Sequence, residues 1–198
     1  PPLPPLPASG PQMELPPLCE RARVDLAAKT LTLAPEAKLE LEELAAGYAV
    51  DRAIEAMQAD GLTTGFAAVG RVQRAYGPGP EGRGWRSLLP ETVTRLDVGL
   101  APPFLRDRAL AIATSEDVPP HIDARTGLPV NRSGAVLVAF GSAADAQVIA
   151  ATMLLLGSRG GELRLGSLQP EPSVLWIHGT GEGTPLLVEH RWRSFTKP

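Results

Sequence analysis

A chain of 198 residues is long enough for one domain with an arm or small annex, and for a hydrophobic core that needs no covalent staples. With 43% hydrophobic and 21% charged residues and a formal net charge of −3, it has the make-up of an ordinary soluble globular protein. It lacks the clustered Lys and Arg that a nucleic-acid backbone requires, which excludes a nucleic-acid partner. No apolar run approaches the ~20 residues that cross a bilayer, and the segment from Met153 to Leu156 is far too short.

Eight of the first 18 residues are proline, which predicts a polyproline-II arm over residues 1–22 and a body over residues 23–198. The arm has no core of its own, so a docking role toward a protein partner is one expectation, and a tail laid along its own domain is the other. Cys19 is the single cysteine, which rules out an intrachain disulfide. The residues before it, Leu15-Pro16-Pro17-Leu18, are unlike a lipid-attachment signal, so a buried or idle thiol is expected. The sequence starts at Pro1 without an initiator Met, which is compatible with an earlier targeting segment having been removed.

Alternation of apolar and polar residues predicts a hairpin from Arg23 to Leu26 and Thr30 to Leu33, turning at Ala27-Ala28-Lys29. From Leu41 to Asp60 the period becomes helical, with Val50, Ile54 and Met57 on one face and Gly61 placed to end it. Thr64 to Val69 reads as a strand closed by Gly70, and the run from Gly77 to Gly84 as a turn or loose loop.

Further strands are predicted at Val93 to Val98, Leu110 to Thr114, Ala135 to Phe140, Val174 to Ile177 and Leu186 to Glu189. Between the third and fourth of these a helix starts at Ser142 and runs through Leu156 to Gly157. Ser142 and Asp145 have the spacing of a reciprocal N-terminal cap. Strands mixed with two main helices predict an α+β domain around a mixed or mainly antiparallel sheet.

Three stretches carry a family resemblance. The first is Ala45-Ala46-Gly47-Tyr48-Ala49-Val50-Asp51. The second is Ala113-Thr114-Ser115 followed by His121-Ile122-Asp123-Ala124-Arg125-Thr126-Gly127-Leu128-Pro129-Val130. The third is the alanine-rich helix from Ser142 to Gly157, which contains Thr152. In this order and spacing they resemble the FAD:protein FMN transferase (ApbE-like) family over about residues 23 to 190. The family's N-terminal portion is expected to be missing, with the proline arm in its place.

The resemblance implies a periplasmic or other extracytoplasmic enzyme that splits the pyrophosphate of FAD and attaches FMN to a threonine of a partner protein. Magnesium would bind the phosphates there. It assigns FAD contacts to Gly47, Tyr48, Gly70, Asp123, Thr126 and Gly127, a catalytic role to His121, and metal binding to Thr152 with an acidic residue four positions earlier. That earlier position is Val148, which has no side-chain oxygen. Asp145 lies ~10 Å from Thr152 along a helix, too far for one ion to touch both.

Other departures fall on the same site. Ala46 stands where the family has lysine, Gly70-Arg71-Val72 replaces a Gly-Gly-Asp segment, and His121 is shifted by one residue relative to Asp123. Arg71 either fills the pocket or grips a phosphate. The leading expectation is a degenerate, non-catalytic structural or binding subunit that carries no cofactor. An active transferase using FAD and Mg²⁺ with ligands recruited from Glu116, Asp117 or Asp123, and a flavin-binding module without catalysis, remain open. Trp85, Trp176 and Trp192 could stack on a flavin, though lone tryptophans in strands belong more often to cores.

Overall fold

A computed structural model describes residues 22–35, 37, 41–96, 98–117, 120–123, 128–130, 134–179 and 184–193. The chain divides into a smaller unit, residues 1–40 with 122–129, and a larger one, residues 41–121 with 130–198. The proline-rich arm and Cys19 lie outside the described residues.

The smaller unit contains two short antiparallel pairs. One is the hairpin of β1 (Ala22–Asp25) and β2 (Thr30–Leu33), in which Asp25 Oδ1 accepts the Ala28 N–H at 2.9 Å and Lys29 takes a positive φ. The other pairs β8 (Ile122–Asp123) with β9 (Leu128–Pro129).

The larger unit is built on a six-stranded antiparallel sheet in the order β12-β11-β10-β7-β4-β3. These strands are β3 (Gly65–Val69), β4 (Val72–Tyr76), β7 (Arg108–Thr114), β10 (Gly134–Phe140), β11 (Ser173–His178) and β12 (Leu186–His190). Side chains alternate across a strand, and here both faces are covered, which is why β7 and β10 read as nearly unbroken apolar runs. Ala109, Ala111, Ala113, Val136, Val138, Val174 and Trp176 face one layer, formed by α1 (Glu42–Ala59) and α3 (Ala143–Leu165). Leu110, Ile112, Ala135, Leu137, Leu175 and Ile177 face the other, where Val93, Leu105 and Trp192 complete a second core.

Two predicted elements differ from the structure. The expected strand from Val93 to Val98 is instead the short helix α2 (Glu91–Thr94) followed by a turn. Pro90 enters it with extended backbone, Thr94 Oγ1 donates back to the Glu91 carbonyl, and the Glu91 carboxylate sits in the first turn, where the helix dipole favours it. These local bonds outweigh the alternating pattern, and Val93 is buried from a helix rather than a strand. The helix expected to stop at Gly157 instead breaks there (φ 68°, ψ 173°) and resumes to Leu165.

A central strand, β4, carries two polar residues in its middle that disguise it in the sequence. Both find partners in the fold. The Gln73 amide exchanges hydrogen bonds with the backbone of Leu88 at 2.7 and 2.8 Å, and Arg74 donates to Asp51 at 2.6 Å.

The two long helices meet where side chains are smallest. A methyl group added at Gly47 would lie 2.5 Å from the Ala143 carbonyl oxygen, so α1 approaches α3 only because this position has none. Asp51, one turn further along α1, accepts N–H groups from Ala143 at 2.9 Å and Ala144 at 3.0 Å, and the Ser142 hydroxyl at 3.0 Å. It thereby satisfies donors that α3 cannot satisfy itself. Ser142 in turn accepts the Asp145 N–H at 3.2 Å, one half of the predicted reciprocal cap.

Candidate functional site

The larger unit holds a cleft of about 470 Å³ against the helix-facing side of the sheet. Its floor comes from Val72 on β4 and Ala111, Ile112 and Ala113 on β7, and one wall from Gln147 and Ala150 on α3 with Ala46 on α1. The opposite wall is the β3–β4 turn at Val69, Gly70 and Arg71, together with Glu116, Asp117 and His121 beyond the end of β7.

Charged groups in this cleft are tied to one another. Asp117 accepts the Thr114 N–H at 2.9 Å and the Thr114 hydroxyl at 2.7 Å, and pairs with the Arg71 guanidinium. Its second oxygen accepts from His121 Nε2 at 2.8 Å, which places the imidazole, itself 7% exposed, against the carboxylate. Arg71 also donates to Thr114 Oγ1 at 2.9 Å. The tight turn after β7 creates this network by folding Asp117 back over Thr114, three residues earlier. Glu116, the other acid of the cleft, is 64% exposed and lies 3.6 Å from Arg95.

These residues do not suit a magnesium ion. Such an ion needs several free oxygen ligands in near-octahedral array. Both oxygens of Asp117 already face donors, and the Gln147 Oε1 accepts the Gly47 N–H at 2.6 Å. Among the described residues there is no group of three or more His, Cys, Asp or Glu side chains that could hold a metal.

The residues singled out from the sequence are dispersed. His121 and Gly70 line the cleft. Gly70 has φ +56° with open space around it, so the turn alone accounts for a glycine there. Gly47 lies buried against α3, and Tyr48 is 56% exposed with Arg52 stacked 5.3 Å from its ring. Asp123 belongs to β8 of the smaller unit, and Thr126 and Gly127 lie outside the described residues.

The two expected metal-binding residues do not line the cleft. Thr152 is exposed, its hydroxyl donating to the Val148 carbonyl at 2.8 Å, and Asp145 is exposed as well. At 3.6 residues per turn Thr152 projects about 140° around the helix from Gln147, the residue that does face the cleft. Position 148 is likewise exposed. Positions 148 and 152, where the resemblance would put a metal-binding pair, are thus both exposed. Of the tryptophans, Trp176 and Trp192 are buried core residues, and Trp85 stacks with Phe66.

The sheet flanked by α1 and α3 matches the fold of a known group of proteins. The pattern that defines the ApbE family matches residues 12–171. This chain belongs to the ApbE family. Its fold also superposes on solved ApbE structures. These include the flavin transferase from Vibrio cholerae (23% identity, TM-score 0.73, covering 89% of this chain and 58% of that one) and the apo flavinyl transferase from Pseudomonas stutzeri (20%, 0.71, 89% and 56%). The ApbE protein from Thermotoga maritima matches similarly (18%, 0.68, 90% and 60%). The chain therefore spans between 56% and 60% of the length of these relatives. No relative was found among curated protein sequences. As predicted, the ApbE-like fold is α+β with an antiparallel sheet, and none of its described helices is long and apolar enough to cross a membrane.

Proposed function

We propose that this ApbE-family chain does not transfer FMN and serves as a non-catalytic binding or structural subunit. The observation that carries the reading is the closed network of Arg71, Asp117, Thr114 and His121: the cleft's most enclosed carboxylate is already neutralised by the protein's own cation and hydrogen-bond donors. The helix wall adds to it, since α3 presents an amide and an alanine, Gln147 and Ala150, where a metal-assisted phosphoryl site needs carboxylate oxygen. Ala46 lines the same cleft and supplies no cation for a phosphate. A protein partner engaged through the proline-rich arm, which rests on the arm's composition, and a location outside the cytoplasm, which rests on the sequence resemblance, belong to the same proposal.

A second reading, a flavin-binding module without catalysis, is favoured by the cleft itself. Its apolar floor of Val72, Ala111 and Ala113 could take a flat ring, and Arg71 could turn toward a phosphate if it exchanged partners. One experiment separates the readings: purified chain is incubated with FAD and Mg²⁺, and released AMP, bound flavin and covalent flavin on a threonine-containing acceptor are measured. The subunit reading expects none of these, and the module reading expects bound flavin alone. Mg²⁺-dependent AMP release with covalent labelling would establish a divergent active transferase.

A further inference from the structure

A second surface of the larger unit lies outside the cleft. Strands β5 (Trp85–Arg86) and β6 (Phe104–Leu105) form a two-stranded ribbon in which Trp85 opposes Leu105 and Arg86 opposes Phe104. Alternation divides its residues cleanly. Leu105 is fully buried, and Trp85 turns inward to stack on Phe66 and donate its Nε1–H to Thr64 at 3.1 Å. The opposite face carries Arg86 and Phe104, and by the same alternation Arg106, beside Gly84. Arg83 folds over this face too. Its guanidinium lies 4.8 Å from the Phe104 ring centre, and that of Arg86 lies 5.8 Å away.

Two guanidinium groups thus lie over one half-buried phenylalanine, with Arg106 beside Gly84 near them, in a chain whose net charge is −3. Neighbouring carboxylates pair with only one of these arginines. Glu81 pairs with Arg83 at 2.6 Å, Asp107 accepts the Gly77 N–H at 2.9 Å, and Glu91 lies 3.8 Å from Arg95. No carboxylate among the described residues lies within ion-pairing distance of Arg86 or Arg106, and both are exposed. An arginine stacked flat on an aromatic ring keeps its planar N–H fork ordered, which lowers the entropic cost of gripping a carboxylate with two parallel hydrogen bonds.

From this geometry we infer that the outer face of the β5–β6 ribbon is a docking surface for an acidic peptide segment of a partner protein. Charge complementarity selects the occupant. Two uncompensated guanidiniums are too few for a nucleic-acid backbone, whose binding depends on many phosphate contacts. Discrete carboxylates between uncharged residues fit the spaced arginines. The inference goes beyond the cleft and holds whether or not the cleft is active.

The test uses the full chain and a fluorescein-labelled peptide in which single glutamates are spaced by uncharged residues, with fluorescence anisotropy as the readout. An uncharged peptide of equal length and a single-stranded oligonucleotide serve as comparisons. Binding of the acidic peptide should weaken with added salt and fall by about tenfold or more in Arg86→Glu/Arg106→Glu. The matched charge reversal Arg23→Glu/Arg159→Glu, at exposed arginines elsewhere, should leave it nearly unchanged. The wild-type chain supplies a second readout: the peptide should protect Arg86 and Arg106 from phenylglyoxal, so the outcome does not depend on a variant folding. No binding, equal loss in both double variants, tighter binding of the oligonucleotide, or unprotected arginines would each overturn the proposal.

Discussion

The carboxylate of Asp51, halfway along α1, accepts the backbone N–H of Ala143 at the start of α3 at 2.9 Å, across 92 positions of sequence. That bond has companions from Ala144, Ser142 and Arg74, so one buried side chain ties two helices and the central strand β4 together. Because the helix N-terminus is occupied from within, its exposed N–H groups are not left for a ligand phosphate.

Replacing Asp51 by Asn removes the charge, leaves one accepting oxygen and strands Arg74, so urea denaturation should show a loss of about 2–3 kcal/mol. The pH dependence has a definite sign. Burial by itself would raise the pKa of Asp51, but the N–H groups of Ala143 and Ala144, Arg74 and Ser142 outweigh it and hold the group below its ordinary 3.8. A carboxyl whose pKa is lower folded than unfolded contributes stability above the unfolded value and loses it as pH falls through the folded one. The gap between wild type and Asp51→Asn should therefore be constant near neutrality and narrow as pH falls through and below 3.8. A gap that widened on acidification would contradict this account.

Gly47→Ala places a methyl group 2.5 Å from the Ala143 carbonyl and 2.6 Å from the Ala144 Cα, both rigid backbone atoms. Helix propensity favours alanine by ~1 kcal/mol, yet overpacking costs about 1–3 kcal/mol, so the variant should be less stable on balance. Gly166→Ala, at φ −62° with nothing within 4 Å, should be neutral or slightly stabilising. Thermal melts of the two proteins, compared side by side, decide whether the helix contact is as close as described.

Gly157→Ala forces a side chain into backbone dihedrals (φ 68°, ψ 173°) that almost only glycine adopts, and should cost about 1–3 kcal/mol. The break lies between the Met153 carbonyl, which accepts from Trp176 Nε1 at 3.2 Å, and Ser158, whose hydroxyl meets His178 Nε2 at 3.1 Å. Tryptophan fluorescence during unfolding should report the change.

Much of this fold could be read from periodicity, and the reasons for the rest are local. α1, β7, β10 and β11 carry apolar patterns that match their burial, and the β1–β2 hairpin was legible from its alternation although Val24 and Leu31 are exposed. Strand β4 stayed hidden because Gln73 and Arg74 interrupt its pattern, and their partners Leu88 and Asp51 are distant in sequence. The Val93 segment misled through alternation that a proline-initiated helical turn overrides. In the cleft, His121, Gly70 and Arg71 could be picked out, but Gln147 could not. Its importance depends on which face of α3 meets the sheet, and a one-residue difference along a helix is 100° of rotation.

Arg71→Ala should open the cleft and release Asp117 from its cation, leaving Thr114 and His121 as its partners. If Arg71 fills the cleft, flavin quenching titrations should show equal or stronger FAD binding in the variant. Weaker binding would mean that the guanidinium grips the nucleotide.

The most direct measurement is a calorimetric titration of FAD into the full chain with and without Mg²⁺. Because the Asp117 oxygens are already engaged by the protein, the ion is expected to leave FAD affinity unchanged. A tenfold or larger tightening on adding Mg²⁺, about 1.4 kcal/mol, would show a working metal–nucleotide site and contradict the account.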